Sequence, residues 1–358
     1  MKKVAKAASA LLAVLLAIWV AATAVITSAE AGDLDSLAAQ IQREYILSDD
    51  ELAETQLSLL EGAAGSLEFD GGRELAAEEE YEFSLEVDKA GEYWIAAVYA
   101  AYEDNAFENQ VQVGVNSDVR TVVLPFLWAD TRDDLIDRYG NEIQPEQYQL
   151  PYSIYYFEKY EDFTRSPIEY ELNEGENIIT IVPMNQRIKL FALYAVEPHE
   201  TPDYEDYLAM HSGAEDYSGP AITIQGEYFR AKNDSAIRAA SVQNASLTPY
   251  SPYGKLLNAT DDKSNKRIGQ ELHYEVEVPE DAFYYLSFKF SQPLKTGGLS
   301  YRTVEVDGAV PHTGLMDIGF RNTGMNTYEN YTAGGDEPVR IYLTAGIHII
   351  SIKVTAGP

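Results

Sequence analysis

Leu172-Asn-Glu-Gly175-Glu-Asn-Ile178-Ile179-Thr180-Ile181 and Leu343-Thr-Ala-Gly346-Ile-His-Ile349-Ile350-Ser351-Ile352 are two versions of one stretch, at a constant offset of 171 residues. Each sets a glycine between a leucine and a run rich in isoleucine. That is how a turn hands the chain to a strand, since glycine relieves the turn and β-branched residues fill a pleated surface. A match at this separation means that one architectural unit is used twice.

Working outward, the unit repeats in detail. Tyr81-Glu-Phe-Ser-Leu-Glu-Val87 alternates apolar and polar residues and leads past Gly91 into the buried-strand pattern Tyr93-Trp-Ile-Ala-Ala-Val-Tyr99. In the second copy His273-Tyr-Glu-Val-Glu-Val278 leads past Pro279 into Tyr284-Tyr-Leu-Ser-Phe-Lys-Phe290, and Val to Tyr is six residues in both (87 to 93, 278 to 284). A third strand follows in each, Val111–Val115 and Tyr301–Val306, the latter running into an Asp307-Gly308 turn. Short alternating strands with turns between them, and little helical periodicity, predict an all-β chain of two tandem antiparallel β-sandwiches. Short helical lead-ins precede them, at Glu44–Leu47 and Asp206–Ala209, and Ser48 to Glu51 carries a capping-box pattern.

The copies differ in their loops. From Tyr93 to Gly175 is 82 residues and from Tyr284 to Gly346 is 62, so the first copy carries extra chain around Trp128 to Ser166. The second is longer between Glu227 and Tyr274. Loops carried on rigid sheets are where binding residues concentrate. After Ile181 the first copy adds a further strand, Lys189 to Val196, that the second lacks, which predicts a sheet edge needing another cover, from a longer polypeptide or a partner. The expected boundaries are 55–198 for the first module, 199–219 for a helical linker and 220–358 for the second, without its last strand.

The N-terminus predicts export. Lys2, Lys3 and Lys6 precede an apolar run from Ala7 to Ile26, and Ala29-Glu-Ala31 fits a cleavage site. That run is also long enough to span a bilayer, so residues 1–31 read either as a cleaved signal or as an uncleaved anchor, followed by the lead-in 32–54. Membrane contact is expected only through this segment. With 26 Lys and Arg against 58 Asp and Glu, the formal charge of −32 repels phosphate backbones and excludes nucleic acid as a partner. The chain has no cysteine, which excludes disulfides and thiol chemistry.

Catalytic patterns are missing. There is no nucleophile elbow, zinc-binding helix pair or phosphate loop, and the five histidines are scattered singly, with His273 and His348 expected on exposed strand faces. Asp133-Asp134 and Asp261-Asp262 have no spacing that would single them out among so many acids. No catalytic residue is assigned. The 26 tyrosines are the stronger signal, because they cluster in both loops beside amides and carboxylates. Aromatic faces stack on sugar rings while polar neighbours bond the hydroxyls. Trp128, Asp130, Arg132 and Asn141 form the candidate ligand site of the first module, and Tyr250, Tyr253, Asn258 and Gln270 that of the second.

Leu124-Pro-Phe-Leu-Trp128, Asp137, Gly140-Asn-Glu-Ile143 and Pro145, with Ala221–Glu227, Val278-Pro-Glu280, Ser300-Tyr-Arg302, Val306–Pro311 and the terminal Leu343 to Gly357, resemble a known pattern. They are similar to the N-terminal β-sandwich region of multidomain extracellular solute-binding proteins of bacterial sugar ABC transporters. The resemblance runs from about Tyr45 to Pro358. It implies two galactose-binding-like jelly rolls akin to carbohydrate-binding modules, a glycan or oligosaccharide as ligand, and transporter components or a C-terminal solute-binding domain as partners. It further implies a structural calcium held by a first-strand glutamate, for which Glu227 is the match; Lys189 stands where the first module would need the aspartate, and no cofactor is assigned. The function expected is a non-catalytic, extracellular glycan-binding or glycan-presenting module, with a structural spacer or protein-interaction module at the cell surface as the alternative.

Overall fold

The computed structural model describes residues 51–101, 109–131, 136–161, 164–261 and 263–356. The export segment, the pattern at 44–47, Arg132, the Asp133-Asp134 pair and Asp262 lie outside these described residues. Among the described residues no helix is long and apolar enough to cross a membrane.

The first module is a sandwich of two antiparallel sheets. In one, the strands Ala63–Leu75, Ile188–Val196, Gly91–Ala101 and Tyr170–Leu172 lie in that order, with Ser153–Tyr156 also paired to Gly91–Ala101. In the other, Tyr81–Val87, Gly175–Pro183, Asn109–Val115 and Asp118–Leu124 lie in order. Alternation decides which side chains enter the core: Phe83, Leu85 and Val87 point in with Val111, Val113, Ile179 and Ile181, while Glu82, Ser84 and Glu86 point out.

The second copy reproduces these pairings residue for residue. Gly175 faces Val87 and Gly346 faces Val278; Ile179 faces Val115 and Ile350 faces Val306; Tyr93 faces Tyr170 and Tyr284 faces Ile341. The six-residue interval also acquires a cause. Tyr93 Oη donates to the Lys89 carbonyl (3.0 Å) and Tyr284 Oη to that of Glu280 (2.7 Å), so in both copies the tyrosine closes the turn that its spacing spans. Asp307 and Gly308 turn the chain back with φ of 50° and 86°, both in the left-handed region that an Asp-Gly hairpin needs.

Two features extend the sequence reading. The seven-stranded sheet runs Ile318–Phe320, Ser300–Val306, Gly346–Thr355, Glu271–Val278, Ala231–Lys232, Trp128–Asp130 and Gln147–Gln149. Its last two strands come from the long loop of the first module, which therefore crosses to complete a sheet of the second. Between the modules lies a shared apolar layer: Ala96, Val98, Phe191 and Tyr194 on the outer face of the five-stranded sheet meet Ala231 and Ile349, with Leu52 and Leu60 beside them. Helix Glu51–Ser58 is wedged there, Gln56 Oε1 accepting from Ile154 N (2.7 Å) and Ser58 Oγ donating to the Asp307 carbonyl (2.9 Å).

At the strand Ala282–Tyr285, the backbone N–H of Phe283 donates to Glu215 O and its carbonyl accepts from Tyr217 N, both at 2.9 Å, so the linker covers this point of the edge. Helix Tyr204–Met210 guards the opposite edge, where Tyr204 and Tyr207 hydroxyls accept from Arg340 N and Tyr342 N. The histidine expectation is corrected. His273 and His348 are both buried: His273 lies on the face covered where the modules meet, whereas His348 lies on the other face, beside Val276, with its ring nitrogens 2.6 Å from Asp307 Oδ2 and 2.8 Å from the Thr344 carbonyl. His273 Nδ1 lies 2.8 Å from Ser351 Oγ, and burial lowers its pKa to about 4, so the ring is neutral.

Candidate functional site

The two loop regions singled out by their aromatics are fastened to one another. Asp137 nucleates the first loop: its Oδ1 accepts from Tyr139 N (2.7 Å) and Asn141 N (2.9 Å), and its Oδ2 accepts from Asn141 Nδ2 (2.9 Å). These bonds, the Asn141 side chain first, lower the pKa of Asp137. Asn141 then reaches the second module, its Oδ1 accepting from Lys255 N (2.9 Å). Glu142 N donates to Lys255 O (2.9 Å), and its Oε2 accepts from Leu257 N (2.5 Å). Farther along, Gln144 donates to the Ala239 carbonyl and Arg238 to Gln147.

The candidate residues fall into distinct roles. Trp128 is only 6% exposed and packs in the first module's core, so it forms a wall and has no free face to stack on a sugar. Asp130 holds the buried Lys232, whose Nζ lies 2.6 Å away. Asn141 is the inter-loop clasp just described. Asn258 is spent on its own loop, accepting from Val242 N (2.8 Å) and donating to the carbonyls of Val242 (3.0 Å) and Pro249 (2.9 Å). Gln270 is likewise committed: its Oε1 accepts from Lys266 N and Arg267 N (both 2.7 Å), and its Nε2 donates to Asp234 Oδ2 (2.6 Å) and Ser264 O (2.8 Å). Tyr250 and Tyr253, by contrast, stand out at 41% and 99% exposure. Tyr139, two residues before the clasp, is 71% exposed. The clasped loops thus present aromatic rings from both modules.

Trp128 and Gln270, assigned to separate sites by sequence, line one cavity. It sits on the seam between the modules, lined by Asn109, Val123 to Phe126, Trp128 and Arg165 from the first module and by Asn233 to Ser235 and Arg267 to Gln270 from the second. Its volume is about 60 Å³. Three of its groups had escaped notice: Asn109, Arg165 and Asp234. Asn109 is 1% exposed, and neither its Nδ2 nor its Oδ1 has a hydrogen-bond partner. An unmet buried polar group costs about 1–3 kcal/mol, so this one calls for an explanation. Arg165 Nε is also buried without a partner. Asp234, the one carboxylate in the lining, is engaged by Arg267, Gln270 and, through Oδ1, by Ala236 N (2.8 Å).

Glu227 was matched to a calcium ligand. Its side chain is buried and neither oxygen is hydrogen-bonded. Burial pushes the carboxyl up to about 7; its own backbone N–H draws it down and the charge of Glu142 adds to the rise. Calcium takes six to eight oxygen ligands. Among the described residues no group of three or more His, Asp or Glu side chains is placed to share an ion.

No family model matches the chain, and no curated protein matches it. Solved structures do share parts of its shape. A family 35 carbohydrate-binding module from Clostridium thermocellum is similar at 12% identity over 38% of this chain and 90% of that one, with a TM-score of 0.23. A ruminal GH26 endo-β-1,4-mannanase is similar at 15% identity over 42% of this chain and 23% of that one, with a TM-score of 0.21. An isomalto-dextranase from Arthrobacter globiformis T6, complexed with panose, is similar at 10% identity over 77% of this chain and 34% of that one, with a TM-score of 0.27. The chain thus spans about a quarter of the mannanase and a third of the dextranase. The all-β sandwich assignment rests on the strand registers above, not on these likenesses.

Proposed function

We propose that this chain is a non-catalytic, exported module that binds or presents glycans at the cell surface, in company with the solute-binding component of a sugar ABC transporter. The observation that carries the reading is the exposed tyrosine set, Tyr139, Tyr250 and Tyr253, displayed by two loops that hydrogen bonds lock together. A tyrosine ring offers a flat apolar face and a phenolic hydroxyl, which suits the two-sided character of a sugar. Because the loops are already fastened, little ordering is left to be done on binding. The non-catalytic part of the reading is supported by Asp234, which Arg267, Gln270 and Ala236 engage and which is the one carboxylate among the described residues of the cavity lining, where glycoside hydrolysis ordinarily employs two.

The spacer reading is favoured by one observation, the shared apolar layer that makes the two modules a single rigid unit. Affinity electrophoresis through gels containing soluble polysaccharides separates the two. The parent chain is expected to be retarded by at least one polysaccharide, and Tyr253→Ala and Tyr139→Ala to be retarded less, by about three- to tenfold in affinity. A parent chain that migrates freely through every gel sinks the glycan reading and leaves the spacer.

A further inference from the structure

We propose that the second module takes in a β-strand from a partner polypeptide, along the free edge of Tyr285 to Phe290. The inference does not depend on the glycan reading, because it rests on the sheets alone.

The first module shows what belongs there. Its strand Ile188–Val196 lies between Ala63–Leu75 and Gly91–Ala101, antiparallel to both, and its register against the latter runs from Trp94 to Ala101. Leu190, Leu193 and Ala195 of that strand are wholly buried in the core. The second module keeps the neighbour without the strand. Ala97 faces Tyr155 and Phe288 faces Tyr331, so Ala282–Tyr285 and Ser287–Phe290 together repeat the pairing of Gly91–Ala101. Among the described residues they pair on one side only, with Arg340–Leu343 and Glu329–Thr332. The linker's bonds to Phe283 stop two residues short of Tyr285, the counterpart of Trp94. By alternation Tyr285, Ser287 and Lys289 turn their backbone N–H and C=O groups to the edge that Phe283 shows the linker, while the Leu286 carbonyl accepts from Ala333 N on the other side (2.9 Å).

Burial gives a second, independent sign. Leu85, Ile95, Ala97, Tyr99 and Ile181 are at most 1% exposed, whereas their counterparts Val276, Leu286, Phe288, Phe290 and Ile352 are each only half-buried. Core positions left open together on both sheets call for a whole strand as cover. Nearby, Ala221-Ile-Thr-Ile-Gln225 runs from Tyr217, bonded to Phe283, to Gly226, whose carbonyl accepts from Tyr274 Oη (2.9 Å). It has the alternation of a strand and forms none, with Ile222 and Ile224 at 41% and 37% exposure. The first module's opening segment, Ala63–Leu75, is a strand where Ile188–Val196 pairs with it.

The occupant's chemistry follows from this template. It is extended, because it bonds backbone to backbone, and apolar at alternate positions, because it must cover the open core. Running antiparallel to Tyr285–Phe290, as Ile188–Val196 does to Gly91–Ala101, it brings its C-terminal end toward Phe283. Exposed Glu215, Asp216, Glu280 and Asp281 flank that point, with Arg340 paired to Asp216, in a chain of formal charge −32. Basic residues just beyond the occupant's C-terminal end complement them.

A synthetic peptide of the Ile188–Val196 sequence followed by two lysines, added to the full chain, tests this. It is expected to bind one to one, to raise the melting temperature and to slow amide hydrogen exchange at Tyr285, Ser287 and Lys289. Ser287→Pro removes a donor from the free edge only, where a strand tolerates proline, so it should melt near the parent and bind the peptide roughly tenfold or more weakly. Glutamates in place of the two lysines should also weaken binding about tenfold. A Leu193→Pro peptide is expected not to bind. Absence of binding, protection confined to other parts of the chain, or an unaltered Ser287→Pro overturns the proposal. Equal affinity of the lysine and glutamate peptides overturns the basic flank. Protection of the same amides in the chain alone, with a doubled mass in solution, overturns the partner and makes the occupant a second copy.

Discussion

Lys232 Nζ lies 2.6 Å from Asp130 Oδ1, and the lysine side chain is wholly buried, so an ion pair joins the crossing loop of the first module to a strand of the second. The Ile237 carbonyl accepts a further bond at 2.8 Å, and the Phe229 ring lies 4.9 Å from the ammonium. Burial lowers the lysine's pKa, and Asp130 opposes that. Removing one partner of a buried pair leaves a bare charge, at a cost of about 3–5 kcal/mol, whereas removing both is far milder. Asp130→Ala is therefore expected to lower stability to denaturant by that amount, and Asp130→Ala with Lys232→Met to recover most of it. A single variant as stable as the parent would refute the assignment of Asp130 to structure.

Glu227 supplies a pH dependence with a definite sign. Its carboxyl titrates near 7 in the folded chain against the ordinary 4.5, so between those values the folded state keeps a proton that the unfolded chain has released. Its contribution is whole below pH 4.5 and is lost as pH rises through 7. His273, lowered to about 4, slopes the opposite way between 4 and 6.5, so the comparison must be between variants at each pH. Glu227→Gln is expected to match the parent at pH 5 and to be more stable at pH 8, by on the order of 2 kcal/mol. Thermal melts at the two pH values decide this, and equal melting temperatures at pH 8 would refute it.

Much of the architecture was legible because it is local and repeated. The Gly175 and Gly346 turns, the six-residue interval closed by Tyr93 and Tyr284, and the inward alternation of Phe83, Leu85 and Val87 each follow from residues close in sequence. What sequence concealed is how the two copies meet. His273 belongs to the polar side of its strand by alternation, and Glu275 on that side is indeed exposed, but the end from Glu271 to Tyr274 is buried by the modules' packing. Nor does anything near Trp128 announce that it pairs with Lys232 in the second module. Asn109 was findable. It takes the inward register of Val111, Val113 and Val115, and an amide at the head of an apolar row is a signal for a polar cavity.

The seam also holds Lys353, whose Nζ lies 2.6 Å from Glu158 Oε1 on the opposing module, with Glu271 and Glu305 close by. Burial raises the pKa of Glu271 and of Glu305, and the nearby Lys353 charge lowers both. The three carboxyls raise the lysine's pKa in turn, against its own burial. Lys353→Met leaves those carboxyls without a cation, so a loss of about 3 kcal/mol is expected at pH 8. The loss should shrink at pH 5, below the value of about 7 to which burial pushes Glu305. A loss that is the same at both pH values would show that Lys353 acts by packing alone.

Gly269 governs the seam cavity more sharply than any lining side chain. It takes φ of +82°, and a Cβ built there would stand 2.5 Å from both Cδ and Nε of Arg165. Gly269→Ala therefore meets two penalties together: a left-handed conformation that alanine dislikes, worth about 1 kcal/mol, and a clash that the flexible arginine must relieve by moving. Gly269→Ala is expected to lower stability to denaturant by about 1–2 kcal/mol, and by less in an Arg165→Ala background, where the clash is gone; an equal loss in both backgrounds would refute the clash.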